Sequence, residues 1–194
     1  MKLDSITGLM SEVSYIDSPN QDDRPENCPV NLLVIHGISL PPGRFGGPWI
    51  DDLFTNCLDL DQDPYFREIE GLRVSSHFLI RRDGRVIQYV PVHRRAWHAG
   101  KSCFEDREAC NDFSIGIELE GSDDMPYEDV QYERLGVLVH ALMRAYPDLG
   151  LDRIVGHSDI APGRKTDPGP FFDWVYFRNI LSQKLASSNP VDNT

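Results

Sequence analysis

Apolar positions fall in short runs separated by loops rich in proline and glycine. Residues 30–36 (VNLLVIH) are a compact apolar run between Pro29 and Gly37, the pattern of a buried strand that ends in a histidine. Residues 38–49 (ISLPPGRFGGPW) read as a loop, residues 50–58 as a short helix, and an acidic excursion with Asp59, Asp61 and Asp63 continues to about residue 71. His77 to Arg82 and Arg85 to Val90 flank Asp83-Gly84, the two-residue spacing of a β-hairpin. Residues 111–121 alternate, placing Phe113, Ile115, Ile117 and Leu119 on one side and Ser114, Gly116, Glu118 and Glu120 on the other. Leu135, Leu138, Leu142 and Met143 give a helix over about 128–146, stopped by Pro147. Residues 153–157 (RIVGH) are a second apolar run ending in histidine, followed by a rigid loop over 158–170. Trp174, Phe177, Leu181 and Leu185 then mark a closing helix.

Strands interleaved with two long helices predict an α/β fold, a sheet covered by helices in a single domain. Residues 1–27 read as an N-terminal extension, and residues 17–29 as a polar lead-in loop to the first core strand. Residues 28–185 are the domain, and residues 186–194 a tail expected to be disordered.

Composition narrows the function. The 194 residues carry a net charge of −12, which excludes non-specific binding to nucleic acid or anionic membranes. No apolar run exceeds four residues, against the about 20 of a membrane helix. The opening MKLDSITGLMSEV lacks the apolar stretch of a secretory signal, so a cytosolic protein is expected. Cys28, Cys57, Cys103 and Cys110 form no close pair and read as reduced thiols. From Leu72 to Arg107, eight basic residues face three acids, a local balance of +5. Most of these fit a solvated strand face, and the remainder could receive a small anionic ligand such as a peptide with free carboxylates.

Two histidines, His36 and His157, each end an apolar run and precede a loop, so neighbouring strands would bring both to one sheet edge. With Asp167, ten residues after His157, they would give zinc two nitrogens and a carboxylate with one position open, the ligand set of a catalytic site. Taken singly, each histidine is better read as a hydrogen-bonded strand end, and His98 competes as a ligand; His77, His93 and His140 have weaker claims. Lys165 stands in the same loop as Asp167 and could stabilise an oxyanion. Glu118 is placed to carry a proton, with Glu120 as its rival and pairing with an arginine as the plain structural alternative. Trp97 is a candidate wall for an apolar ligand part, Arg73 a candidate cation and Arg107 a second one.

The segments VIHGISLPPGRFGGPWID, LRVSSHFLIRRDGRVIQYVP, RAWHAG, CNDFSIGIELEG and GHSDIAPGRKTDPGP closely resemble the AmpD family of cytosolic 1,6-anhydro-N-acetylmuramoyl-L-alanine amidases, over about residues 28–178. The resemblance implies a zinc amidase fold with a central mixed sheet flanked by helices. It implies one Zn2+ on His36, His157 and Asp167, a catalytic glutamate at Glu118 and a catalytic lysine at Lys165. It further implies a soluble anhydro-muropeptide substrate, an indirect effect on β-lactamase induction and no obligate protein partner. Two rivals are a lytic amidase acting on intact peptidoglycan and a non-enzymatic muropeptide-binding module.

Overall fold

The structure, a computed structural model, describes residues 1–187. Its strands are β1 (Ser14–Tyr15), β2 (Gln21–Asp23), β3 (Leu32–Ile38), β4 (Phe78–Ile80), β5 (Val86–Gln88), β6 (Arg94–Ala96), β7 (Cys103–Phe104), β8 (Arg107–Glu108), β9 (Ser114–Glu120) and β10 (Ile154–Gly156). Its α-helices are α1 (Trp49–Phe54), α2 (Pro64–Glu68), α3 (Asp129–Ala145), α4 (His157–Ile160) and α5 (Trp174–Ser187).

The two long apolar segments, β3 and β9, pair in parallel along their whole length at the centre of a six-stranded sheet of order β1-β5-β4-β9-β3-β10. β4 and β10 extend the parallel part on either side, while β5 turns back from β4 through the Asp83-Gly84 hairpin, which makes the sheet mixed. Strands buried on both faces need cover on both. Leu33, Ile35, Ile115, Ile117 and Leu119 face α3 and α5, meeting Leu135, Leu138, Leu142, Phe177 and Leu181. On the other face Leu79 and Ile87 meet Ile50, Leu53 and Phe54 of α1 and Phe66 of α2. Leu32 and Val34 meet Ala99, Cys110, Phe113 and Ile160 there. Among the described residues no helix is long and apolar enough to cross a membrane. All four cysteines are free.

Several expectations shift. The first helix ends at Phe54, four residues early, and the acidic excursion contains α2, whose N-cap Asp63 accepts the Tyr65 N–H. Phe113 does not share a face with Ile115. It closes the 3-10 turn Cys110–Asp112 with ψ near 10°, so the alternation begins only at Ser114 and the phenyl ring joins Leu32 and Val34 on the opposite face. The polar lead-in holds β2, paired antiparallel to β6 by Asp22–Arg95 and Asp23–Arg94 ion pairs, and β1 adds an edge strand beside β5. Helix α5 includes Ala186 and Ser187; the rest of the expected tail lies outside the described residues.

Candidate active site

The site is a product of strand register. Parallel pairing sets His36 opposite Glu118 and Ile35 opposite Gly156, so β3, β9 and β10 deliver His36, Glu118 and His157 to one edge, at the carboxyl ends of the strands. His36 continues the alternation of Leu32 and Val34 and so emerges on the face away from α3 and α5. The loop after α4 is folded back on this edge: the Ser158 N–H donates to the Asp167 carbonyl at 2.9 Å, and the Tyr127 hydroxyl donates to the Pro168 carbonyl at 2.9 Å. Tyr127 reaches Pro168 across Gly37, where a Cβ would stand 2.2 Å from its hydroxyl.

Three donor atoms converge as a result. His36 Nδ1 lies 2.9 Å from His157 Nδ1 and 3.2 Å from Asp167 Oδ2, and His157 Nδ1 lies 3.0 Å from the same oxygen. Bonds of about 2.0–2.1 Å in a tetrahedron put ligand atoms about 3.3 Å apart, so the spacing and the N, N, O donor set fit zinc. These three residues form a group able to hold a metal ion. Burial pulls the His36 imidazole down to about 4, which keeps the ring neutral and able to ligate. Burial works against the charge of Asp167, but the His157 and His36 imidazoles beside it outweigh that and hold the carboxyl far below its usual range.

Glu118 is 8% exposed, and its Oε2 is buried without a hydrogen-bond partner. Burial pushes its carboxyl well up, Asp167 adds to the rise, and Lys165 opposes it. An unpaired buried carboxylate is costly to keep and serves the fold in no visible way. Glu120, its rival, is saturated: it accepts from Arg81 at 3.0 Å, from the Gly46 N–H at 2.7 Å and from the Arg82 N–H at 3.2 Å. Lys165 is exposed and lines the same cavity.

That cavity, about 370 Å³, is lined by His36, Glu118, His157, Lys165 and Asp167. Leu40, Leu53, Tyr65, Ile69, Leu72 and Val74 give it an apolar wall. The apolar part is therefore built by the 38–75 excursion, and Tyr65 and Leu72 are lining residues that sequence reading missed. The Asp63-Pro64 start of α2 was the one local signal for them.

Of the remaining candidates only His98 lines this cavity. His98 is no rival ligand: its Nδ1 sits 2.9 Å from His36 Nε2, on the ring edge opposite the convergence point. His77 is locked in the sheet, its Nδ1 accepting the Gly116 N–H. Trp97 does not line the cavity; its backbone N–H donates to Ser75 Oγ at 3.0 Å. Arg107 stacks 3.8 Å from the centre of the Phe113 ring and donates to Cys28 Sγ, also outside the cavity lining. Arg73 lines an adjoining cavity that shares Leu53, Ile69 and Leu72 with the first. Much of the local positive charge is spent within the chain, with Arg81 on Asp51 and Glu120 and Arg95 on Asp22 and Asp112.

An open α/β sheet bearing such a cluster at its strand ends can now be set beside known proteins. The pattern of the N-acetylmuramoyl-L-alanine amidase family matches residues 26–170, a span that holds all five clustered residues, and the chain belongs to that family of amide hydrolases. It is 57% identical over 179 residues to the 1,6-anhydro-N-acetylmuramyl-L-alanine amidase AmpD of Escherichia coli K12, covering 92% of this chain and 97% of that one. A crystal structure of a selenomethionine AmpD derivative superposes with a TM-score of 0.90 at 54% identity, over 93% of this chain and 99% of that one. The E. coli amidase AmiD, solved with the substrate anhydro-N-acetylmuramic acid-L-Ala-D-γ-Glu-L-Lys, matches at 30% identity with a TM-score of 0.58, over 81% of this chain and 60% of that one.

Proposed function

We propose that the protein is a zinc-dependent amidase that cleaves the bond between 1,6-anhydro-N-acetylmuramic acid and the L-alanine of soluble muropeptides. The observation that carries this reading is the convergence of His36, His157 and Asp167 beside an unpaired, buried Glu118, in a chain 57% identical to an enzyme named for that substrate. Zinc held by the three ligands would supply a Lewis acid that polarises the scissile carbonyl and makes water acidic enough to attack at neutral pH. Glu118 takes the proton of the attacking water through its free Oε2 and returns it to the alanine nitrogen as the amide breaks. Its raised proton affinity suits it to both steps, since a carboxylate of ordinary strength would hold the proton too weakly to deliver it. Lys165 shares the negative charge that develops on the carbonyl oxygen. The apolar wall with Leu40, Tyr65 and Leu72 receives the uncharged anhydro-sugar, while Arg73, in the adjoining cavity, meets the carboxylates of longer stem peptides. Trp97 and Arg107 act on binding only through the segments they brace.

The reaction belongs to cell-wall recycling in the cytoplasm, a setting that suits four free thiols, two of them exposed. It carries an indirect effect on β-lactamase induction through the level of the anhydro-muropeptides consumed. Incubation of the purified protein with anhydro-muramyl peptides and, separately, with intact sacculi tests the assignment by mass spectrometry. Release of free L-alanyl peptide and anhydro-muramic acid from the soluble substrate is expected. Faster release from sacculi would establish the lytic alternative instead.

A further inference from the structure

The motif RAWHAG contributes nothing to the proposed chemistry, yet its His98 and Ala99 stand directly behind both histidine ligands. Ser114 has one hydroxyl proton, and it donates that proton to the Cys110 carbonyl at 2.5 Å. Toward His98 Nε2, 3.2 Å away, the same oxygen can only accept. His98 therefore carries its proton on Nε2 and presents a bare Nδ1 to His36 Nε2 at 2.9 Å. That contact is a hydrogen bond only if His36 is the donor, which leaves His36 Nδ1 bare and aimed at the metal position. The neighbouring residue does the same for the second ligand: Arg164 Nη2, 3.4 Å from His157 Nε2, donates to the Ala99 carbonyl at 2.6 Å instead, and His157 Nε2 donates to that same carbonyl at 3.2 Å, so His157 Nδ1 is left bare. The segment is itself pinned, because Asn111 Oδ1 accepts the N–H groups of both His98 (3.1 Å) and Ala99 (2.8 Å). It is also packed without slack, since a Cβ at Gly116 would lie 2.5 Å from the His98 ring.

We propose that His98 is a positioning residue, which with Ser114 fixes the His36 tautomer that can bind zinc, while the Ala99 carbonyl fixes that of His157. The inference rests on the zinc reading above. Ser114, Asn111 and the His98-Ala99 segment together hold two ring nitrogens bare, so that no proton has to leave before metal enters.

The test compares His98→Asn with His98→Leu in the full-length protein. Asparagine places an acceptor oxygen where His98 Nδ1 stands, whereas leucine has none, and both leave a similar void in place of the outer ring. Zinc affinity is measured by competition with a chromophoric chelator, and the His36 tautomer by 15N NMR of the chelator-stripped protein. His98→Leu should weaken zinc binding by about 10–100-fold, the usual effect of removing a partner that orients a metal ligand, and should shift His36 away from the Nε2-protonated form. His98→Asn should stay within about threefold of the parent and keep the tautomer. Equal affinities for the two variants, or a His36 protonated on Nδ1 in the parent, would overturn the proposal. A parent protein that takes up no zinc would overturn the metal reading, and the tautomer measurement would still judge the relay separately.

Discussion

Glu118 and Glu120 leave one strand on one face, two residues apart, and both are buried, yet their surroundings differ in kind. Around Glu120 every charge is matched: Arg81, itself 3% exposed, and two backbone N–H groups close the carboxylate, and Arg81 ties it on to Asp51 of α1. Around Glu118 there is a carboxyl with an unpartnered oxygen, two imidazoles and a second carboxylate, with only the exposed side chains of Lys165 and Arg164 as cations at hand among the described residues. The first region is a structural clasp that holds the 46–51 segment to the sheet. The second gathers three donor atoms that could hold a metal ion beside a carboxyl oxygen without a partner. Burial alone does not mark a functional acid; burial without a partner does.

The contrast can be broken most severely at the unsatisfied end. Replacing His36, His157 or Asp167 by alanine removes one of three donors and should abolish zinc retention and bring hydrolysis below detection. Metal content by mass spectrometry alongside turnover checks this, and any such variant that stays fully active contradicts it.

Glu118→Gln comes next. It keeps the shape and loses the base, so kcat should fall by about 10²–10⁴-fold with zinc content unchanged. The melting temperature should hold or rise, because an unpaired buried charge has been removed. A variant with unaltered kcat would move the proton transfer to another group.

Glu120→Gln should invert that pattern. It leaves Arg81 buried with a weakened partner, at a stability cost of about 3 kcal/mol, while kcat of the folded fraction changes little. Urea denaturation beside kinetics distinguishes the two glutamates. A large loss of kcat with normal stability would make Glu120 the catalytic acid.

The smallest effect is the pH response of the zinc-free protein. His36 sits at about 4 when folded against 6.5 in its ordinary state. Between those values the unfolded chain binds a proton that the folded one does not, so stability rises with pH across this window and is lost on acidification, by about 3 kcal/mol for this group. Glu118 has the opposite sign, since its raised value makes the folded state the better proton binder as pH climbs past 4.5. Melts from pH 7 to 4 should therefore show a steep acid slope that flattens in His36→Ala and steepens in Glu118→Gln. Identical slopes in all three would refute the assigned burial effects.

The five clustered residues were legible because their signals are local. A histidine at the end of an apolar run and a glutamate within strict alternation announce both element and face, while the fold supplies the register of β3 against β9 and β10 and the return of the loop that carries Lys165 and Asp167. Tyr127, Asn111 and Ser114 gave no such signal. Their work depends on approach between segments distant in sequence, as when Tyr127 passes over Gly37 to reach Pro168. Strands β1 and β2 escaped because ion pairs and edge pairing, not an apolar stripe, hold them. Trp97 and Arg107 were chosen by residue type, and type does not reveal which way a side chain leaves the backbone.

The central claim is the metal itself. Anomalous diffraction from crystals of the purified full-length protein, collected on both sides of the zinc absorption edge, reads it directly. One peak per chain, bonded to His36 Nδ1, His157 Nδ1 and a carboxylate oxygen of Asp167 at about 2.0–2.2 Å, is the result expected. A fully active protein with no peak there, or a peak held by His98 in place of His36, would contradict the account.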